Sequence, residues 1–359
     1  MTKIFRSKAA IGAVIVLGLA ALVVGGASAR VTKKTASVQV CVLLPDTKSS
    51  VRWVQFDAPD FAKAFKAAGI SASINNALND PQKQKAQAQA CIAAGAKVVI
   101  ETALDNGSAA AIEKLFTSKG GQAIDYDRQV LGGSASVYVT FDGKAVGEAQ
   151  AKGVIAALKA SGKYSSKPVV AELWGGQTDQ NAFWFKSGND AVFNPLFKSG
   201  ALTKGPQQFV PDWDATNAAT IFTQMLVKTN NKIDAVLAAN DNIAGAVIAD
   251  LKAKHLQPLP ISGQDATAQG IQYILAGWQT GTVYKYVPLE VNATVKAAEA
   301  LIKGTKPAAN TFRLNGKVKE PTVTLPVEWI TKANYTTLFK QGFLKKSDVC
   351  IGAYKQYCK

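Results

Sequence analysis

The sequence predicts an α/β protein built from two doubly wound parallel-sheet domains. Its 359 residues exceed the roughly 250–300 residues at which a single hydrophobic core stops growing, so two domains are expected. Hydrophobic residues make up 48% of the chain and charged residues 18%, a balance that excludes wholesale disorder. Short apolar runs alternate with helical patterns along most of the chain, which is typical of parallel sheets with helices on both faces.

The first domain begins with the apolar run 38–44, which is typical of a strand buried on both faces. Asp80 and Pro81 fit the N-cap and the first turn of a helix. The rest of this part of the chain predicts a helix at 51–68, another that ends near 118, and strands at 71–74, 97–100, 123–126 and 137–141. These elements alternate as they do in a single parallel sheet.

The same rhythm restarts after residue 141 and predicts a second domain. Its predicted strands are 169–173, 208–210, 235–238, 260–262 and 282–286. The chain is expected to cross between the domains near Asp142, and again near 284–288 and 315–321. We therefore expect a first lobe of residues 38–142 plus about 287–315, and a second lobe of residues 143–286 plus about 316–359.

The N-terminus has the pattern of an export signal. Lys3, Arg6 and Lys8 precede the uncharged stretch 9–24, and the small residues 27–29 are of the kind that signal peptidase cleaves after. The apolar stretch is shorter than the ~20 residues that a membrane-spanning helix prefers. We expect residues 1–29 to be a signal peptide and the protein to act in the periplasm, in the cell envelope or outside the cell; a retained anchor helix is the alternative.

The formal net charge of +16 raises the question of nucleic-acid binding. The lysines are scattered along predicted helix faces, as at Lys63, Lys66, Lys83 and Lys85, without an Arg-rich cluster. This distribution indicates a solvated surface, and we expect no nucleic-acid partner.

Four cysteines in an exported chain suggest disulfides. Cys350 and Cys358 are close in sequence, while Cys41 lies in the first predicted strand and Cys91 in a nearby predicted helix. Of the three possible connectivities we favour 41–91 with 350–358. The alternative is that Cys41 and Cys91 are small buried apolar residues.

Polar and aromatic side chains follow the predicted strands at the ends where parallel sheets bind ligands. They are Arg52, Trp53, Asp127, Arg128, Trp213, Asn240, Asp241, Gln264, Asp265 and Lys285. Their shared position predicts a binding cleft along one edge of the sheets.

The residues do not form a catalytic or cofactor-binding pattern. His255 is the single histidine, so it lacks a second histidine for a metal site, and it has no plausible partner for acyl transfer. The glycine-rich phosphate-binding motifs of dinucleotide and nucleoside triphosphate sites are missing from the sequence. We expect no metal, no cofactor and no enzymatic activity, although Asp241 and Asp265 leave a glycosidase-like carboxylate pair open.

The remaining side chains fit a sugar best. A pyranose has apolar C–H faces that pack on indole rings, and hydroxyls that each donate and accept hydrogen bonds. Trp53 and Trp213 can supply the aromatic faces, with Trp184 in place of either, and the charged and amide side chains can hold the hydroxyls. Packing in the hydrophobic core is the alternative for each tryptophan.

Eight segments carry a more specific signal. They are Arg52-Trp53, 124–128 (Ile-Asp-Tyr-Asp-Arg), Asn181-Ala182, Asp212-Trp213, 230–236, 239–241, 261–266 (Ile-Ser-Gly-Gln-Asp-Ala) and 282–285 (Thr-Val-Tyr-Lys). In this order they resemble the D-xylose-binding protein family, within the periplasmic sugar-binding proteins of the type I fold. The resemblance covers roughly residues 38–304.

The resemblance implies two α/β domains that are joined by a three-strand hinge and close around one sugar. It implies sugar contacts from Arg52, Trp53, Asp127, Arg128, Asn181, Trp213, Asn240, Asp265 and Lys285, with Trp184, Asp241 and Gln264 as further candidates. The membrane permease of an ABC importer would recognise the closed form. We expect the binding protein to be a monomer.

Two departures from the family's pattern leave alternatives open. Gln180 and the aromatic segment 183–185 leave the choice of pentose or hexose open. The tail 323–359 extends beyond the matching region. A sensory binding protein that presents the sugar to a membrane receptor is the functional alternative.

Overall fold

The computed structural model of the protein describes residues 37–358. The predicted signal peptide, residues 1–29, lies outside the described residues. Between residues 37 and 358, no helix is both long enough and apolar enough to cross a membrane. The described chain has the two-domain α/β architecture that the sequence predicts.

The first lobe is built on a parallel sheet whose first five strands are β1 (Val40–Leu44), β2 (Ala72–Asn76), β3 (Val98–Glu101), β4 (Gln122–Tyr126) and β5 (Val137–Phe141). They lie side by side in the order β2-β1-β3-β4-β5. This is the order of a doubly wound sheet, which binds ligands beyond the C-terminal ends of its strands.

Helices cover both faces of this sheet: α1 (Ala58–Ala68), α2 (Pro81–Ala93) and α3 (Asn106–Thr117). Val42 of β1 packs in one core cluster with Phe61 of α1. The next residue, Leu43, lies in a separate cluster with Phe116 of α3. The predicted N-cap Asp80 is confirmed, because its side chain accepts the backbone N–H groups of two residues in the first turn of α2.

The second lobe repeats the pattern with α4 (Gly143–Ala160), β6 (Val169–Trp174), α5 (Gln180–Lys198), β7 (Thr203–Phe209), α6 (Ala215–Lys228), β8 (Ala235–Ala238), α7 (Asp241–Ala253), α8 (Ala268–Leu275) and β9 (Thr282–Tyr284). Its central strands are parallel in the order β7-β6-β8. The predicted strand 260–262 makes only a single parallel bridge, from Ile261 to Val236. Gln264 makes the next bridge, to Val283, and so extends the sheet toward β9.

The strand β7 begins five residues earlier than the predicted strand 208–210. Its first residues are polar or small and include Pro206, so they lack an apolar pattern. An edge strand tolerates proline because one side of its backbone needs no partner.

The chain then returns to the first lobe through α9 (Val287–Ile302), β10 (Thr311–Asn315) and β11 (Val318–Leu325). The antiparallel hairpin of β10 and β11 extends the first sheet, with β11 parallel to β5. The strand β12 (Glu328–Ile330) then pairs with β9 in the second lobe. The predicted boundary at about residue 316 falls in the turn between β10 and β11. Both strands belong to the first sheet, so the first lobe extends through β11 and the predicted boundary lies too early in the sequence.

The tail after β12 contains two short helices, α10 (Thr336–Lys340) and α11 (Lys346–Val349). A disulfide between Cys350 and Cys358 closes its end, and a second disulfide links Cys41 of β1 to Cys91 of α2. Both predicted pairings are confirmed.

Candidate functional site

A pocket of about 280 Å³ lies between the two lobes at the C-terminal ends of their strands. All nine predicted binding residues line it, and so does the further candidate Gln264. Four lining residues were not predicted: Ser49, Ser50, Asp179 and Phe185.

The first lobe contributes a turn between β1 and α1. Ser49 accepts a hydrogen bond from the indole Nε1 of Trp53 at 3.0 Å and one from Arg128 Nη2 at 3.2 Å. Its own hydroxyl donates to the carboxylate of Asp46 at 2.7 Å. One buried serine thus fixes the orientation of two predicted binding side chains.

The residues after Trp53 form a wide π-helical turn, Trp53–Asp57, instead of the start of the helix predicted at 51–68. Pro59 follows in the first turn of α1 and has no N–H to donate, so a regular α-helical bond cannot form there. The turn brings Arg52 and Asp57 into contact, with Arg52 Nε 3.0 Å from Asp57 Oδ2 and Nη2 2.7 Å from Oδ1.

Three buried carboxylates share the guanidinium of Arg52. Besides Asp57, it contacts Asp127 Oδ1 at 2.7 Å and Glu290 Oε2 at 2.6 Å. Burial alone would lower the pKa of Arg52, but the three carboxylates together raise it well above its usual value. The donors of Arg52 are largely occupied by these contacts, so the observed role of its guanidinium is to hold Asp57, Asp127 and Glu290 together.

Asp127 follows β4 with a left-handed backbone, at φ 60°. Its carbonyl accepts hydrogen bonds from the hydroxyl of Tyr138 at 2.8 Å and from the amide of Asn181 at 2.8 Å. Its carboxylate lies 3.2 Å from Lys285 Nζ. Burial opposes its ionisation, but the charges of Lys285, Arg52 and Arg128 outweigh burial and lower its pKa to about 2.

The second lobe contributes residues at helix starts. Asp179 caps α5 by accepting the N–H of Asn181, and it lies 3.1 Å from Arg128 Nε of the first lobe. Asn240 caps α7, and its side-chain amide donates to the carbonyl of Ser49 at 2.8 Å. Capping therefore fixes these side chains and also directs them across the cleft.

Asp265 and Lys285 complete the second lobe's side of the pocket. Ser50 of the first lobe donates its hydroxyl to Asp265 Oδ2 at 2.8 Å. Lys285 Nζ lies 3.7 Å from Asp265 Oδ1 and also contacts Asp127. Lys285 is 5% exposed, so a single buried ammonium group links carboxylates of both lobes.

Trp213 forms an aromatic wall of the pocket. Its ring lies at 6.0 Å from that of Phe185, edge to face. A Cβ atom on Gly175 would lie 2.0 Å from the Trp213 ring, so only glycine leaves room for the indole at this position.

Four buried polar atoms of lining residues have no hydrogen-bond partner among the described residues: Arg128 Nε, Trp213 Nε1, Gln264 Oε1 and Asp265 Oδ1. Buried polar groups are normally paired, because desolvation without a partner costs about 1–3 kcal/mol each. Two donors and two acceptors suit a ligand that both donates and accepts hydrogen bonds.

Two further candidates do not line the pocket. Trp184 packs beside Gly143 at the start of α4, with Arg313 of β10 at 5.1 Å from its ring. Asp241 accepts hydrogen bonds from Thr267 and Gln279 and so joins α7 to the segments before and after α8. Burial is the main cause that raises the pKa of Asp241 to about 7.

The four unpredicted lining residues have weak sequence signals. Phe185 lies one helical turn after Asn181 and could have been found from that spacing, in preference to its neighbour Trp184. Asp179 could have been recognised as the N-cap before α5. Ser49 and Ser50 resemble ordinary turn residues, and no sequence pattern separates them from other serines.

Comparison with known proteins gives the family. The model of the periplasmic binding protein domain matches residues 40–306. The chain belongs to the periplasmic binding protein family.

Curated relatives cover nearly all of this family domain. The D-xylose-binding periplasmic protein of Escherichia coli strain K12 is 33% identical over 300 residues, which are 83% of this chain and 88% of that protein. The multiple sugar-binding periplasmic protein SbpA of Azospirillum brasilense is 32% identical over 314 residues, which are 83% of this chain and 87% of that protein.

A solved structure agrees with the fold of this family member. An ABC transporter solute-binding protein from Clostridium phytofermentans, with bound β-D-glucose, superimposes with a TM-score of 0.80 at 24% identity. The match covers 87% of this chain and 99% of that one. The two-lobed periplasmic binding protein fold is therefore established for the described part of the chain.

Proposed function

We propose that this protein binds one neutral monosaccharide between its lobes, with D-xylose as the preferred ligand, and delivers it to an ABC importer. The observation that carries the proposal is the inter-lobe pocket, which combines two indole rings with fixed carboxylate, amide and cationic side chains. Such a pocket matches the apolar faces and the hydroxyl rim of a pyranose.

The charges of the pocket favour a neutral ligand. Three carboxylates line it, from Asp127, Asp179 and Asp265, and three cations, from Arg52, Arg128 and Lys285. Each of these cations lies within 4.0 Å of at least one of these carboxylates. A charged ligand would leave this balance uncompensated in a buried site, whereas hydroxyls can pair with either sign of charge.

The named relatives support a sugar and favour xylose. The relative from E. coli is named for D-xylose, and the one from A. brasilense for multiple sugars. We propose xylose because the segments 124–128 and 282–285, which belong to the resemblance to the D-xylose-binding family, both lie at the pocket through Asp127, Arg128 and Lys285.

The protonation state and the position of the carboxyl groups favour sugar binding over catalysis. A glycosidase needs one protonated and one ionised carboxyl group on either side of the scissile bond. Asp127 has a pKa of about 2 and is ion-paired, so it is a poor proton donor. Asp241, one member of the pair left open by the sequence, lies outside the pocket and is bound by Thr267 and Gln279.

Closure around the sugar would generate the form that a permease recognises. Hydrogen bonds join the lobes directly, from Ser50 to Asp265 and from Asn240 to Ser49. A sugar held by both lobes stabilises the closed form, because the open form lacks half of its contacts. We propose that an exported monomer carries the sugar in this form.

Calorimetric titration of the purified protein with xylose, ribose, arabinose, glucose and galactose tests the proposal. We expect one-to-one binding that is tightest for xylose. Tighter binding of another sugar would reject xylose and leave the class of ligand intact. If none of the five sugars binds, the proposed function is wrong.

A further inference from the structure

The C-terminal tail, residues 331–358, is attached to the second lobe through α8. Lys332 Nζ donates to the carbonyl of Leu275 at 3.1 Å, and Gln272 Nε2 donates to that of Val349 at 3.1 Å. Near its end, the ring of Tyr354 lies 6.5 Å from that of Tyr273 of α8, edge to face. These contacts make the tail part of the second lobe's surface.

Phe343 is one of the tail residues that pack against the first lobe. Gly342, at φ 69°, ends α10 in a left-handed turn, after which the N–H of Phe343 bonds to the carbonyl of Leu338 at 2.9 Å. The turn leads Phe343 inward, where it is 8% exposed. There it joins the core cluster that contains Trp53 of the first lobe.

The ring of Phe343 contacts two segments that carry pocket residues. It stacks on Phe56 of the turn Trp53–Asp57, with centroids 4.2 Å apart. It also contacts Tyr284, the last residue of β9, at 4.8 Å. Tyr284 is further held by the tail, because its hydroxyl donates to Gln341 Oε1 at 2.8 Å.

These two segments come from different lobes and place residues on opposite sides of the pocket. The turn with Phe56 follows Arg52 and contains Trp53, while Tyr284 directly precedes Lys285. Phe343 is thus a single ring between the supports of Trp53 and Lys285.

We propose that Phe343 is a positioning residue for the sugar site, which holds the turn of Trp53 and the strand end of Lys285 in their closed arrangement. This inference rests on the proposed function. It assigns to the tail a role in ligand affinity, although no tail residue lines the pocket.

Calorimetric titration with the tightest-binding sugar tests the proposal on the variants Phe343→Ala, Phe56→Ala and the double variant. Loss of an aromatic pair weakens an interaction by about two- to tenfold, so each single variant should bind about fivefold more weakly. The double variant should bind no more weakly than either single one, because both remove the same contact. The matched control Tyr354→Ala removes a tail ring that packs on Tyr273 of α8, and it should bind as the wild type does.

The unfolding temperature measured without sugar distinguishes a residue that positions the sugar site from one that only stabilises the fold. A purely structural Phe343 would lower the unfolding temperature and leave affinity unchanged, and that result would overturn the inference while the proposed function stands. Additive effects of Phe56→Ala and Phe343→Ala would overturn it as well. If Phe343→Ala does not fold, Phe343→Leu keeps the apolar bulk without the stack, and wild-type affinity in that variant decides against the proposal. A wild-type protein that binds no sugar refutes the proposed function itself, and this inference with it.

Discussion

Asp127 is the electrostatic centre of the pocket. Arg52 and Lys285 contact its carboxylate at 2.7 and 3.2 Å, and its pKa is about 2. It therefore stays ionised at ordinary pH and can only accept hydrogen bonds. A sugar hydroxyl that meets Asp127 must donate, which fixes the direction of the hydrogen bonds in the site.

Removal of one cation from this network should cost both stability and affinity. In Lys285→Met, Asp127 and Asp265 lose a buried counter-charge, and breaking such a pair typically costs about 3–5 kcal/mol of unfolding free energy. Urea denaturation and calorimetric titration measure the two effects. The control Lys152→Met breaks an exposed pair with Glu148 and should change the unfolding free energy by less than about 0.5 kcal/mol. A folded Lys285→Met protein with wild-type sugar affinity would remove Lys285 from the site.

Substitution of Trp213, which lines the pocket, can be compared with substitution of Trp184, which does not. Trp213→Ala removes a pocket wall and should weaken sugar binding by about 1–3 kcal/mol through lost burial and stacking. Trp184→Ala removes an indole of the same size outside the pocket and should lower stability without a comparable loss of affinity. Titration followed by tryptophan fluorescence checks both. Equal losses of affinity in the two variants would contradict the observed position of Trp184.

At the scale of elements, helix α5 connects the pocket to helix α4. Its start carries Asp179 and Asn181, and one turn later Phe185 lines the pocket. The same helix packs directly on α4, where Asn189 donates to the carbonyl of Gly147 at 2.9 Å. The spacing of α4 and α5 therefore decides where these pocket residues lie.

Gly147 allows this close spacing of α4 and α5 because it has no side chain. The substitution Gly147→Ala, which adds one methyl group, tests its importance. A Cβ on Gly147 would lie 1.9 Å from the carbonyl oxygen of Phe185, so Gly147→Ala must push the two helices apart. Overpacking of this kind typically costs about 1–3 kcal/mol, and the displaced Phe185 should also weaken sugar binding. Denaturation and titration measure the two losses.

Gly245→Ala is the matched control in α7. Its nearest atoms lie 3.6 Å from the added Cβ, so the substitution creates no clash. Alanine favours a helix over glycine by up to about 1 kcal/mol, and the variant should be as stable as the wild type or more stable. If both alanine variants behave alike, close packing of α4 on α5 does not matter for stability.

The elements also show what could be predicted from the sequence. Residues at strand ends, such as Arg52 and Lys285, were predictable because parallel strands bring their C-terminal ends to one edge. The sequence analysis named Trp184 as a candidate and missed Phe185. Neighbouring residues of a helix point in directions about 100° apart, and the aromatic composition of the segment does not reveal which of them faces the pocket. Phe343 could not be predicted, since its partners Phe56 and Tyr284 are far away in the sequence and only tertiary packing brings them together.

At the scale of the whole molecule, stability should depend on pH through a buried carboxyl group distant from the pocket. Glu172 of β6 is 1% exposed, and burial raises its pKa to about 7 although Gln207 and Trp174 donate to it. The unfolded value is about 4.3, so its contribution is fully present below that pH and is lost as the pH rises through 7. The loss amounts to about 4 kcal/mol at most.

Urea denaturation between pH 4 and 8 measures this effect against Glu172→Gln, which keeps the shape of the side chain and cannot ionise. The wild type should lose stability relative to the variant as the pH rises. A constant difference between the two proteins across this range would mean that Glu172 has an ordinary pKa.

The two lobes act together in this account, because each supplies polar groups that the other orients. Arg128 of the first lobe is held by Asp179 of the second, and Asn240 of the second by the backbone of Ser49 of the first. A bound sugar should therefore stabilise both sides of the pocket at once.

Hydrogen exchange, measured by mass spectrometry with and without saturating sugar, tests this central claim most directly. The account predicts that the sugar slows exchange in both lobes, at residues 49–53 and 127–128 in the first lobe and at 181–185, 240–241 and 264–265 in the second. Slower exchange confined to one lobe, or at a surface away from these segments, would contradict a sugar held between the lobes.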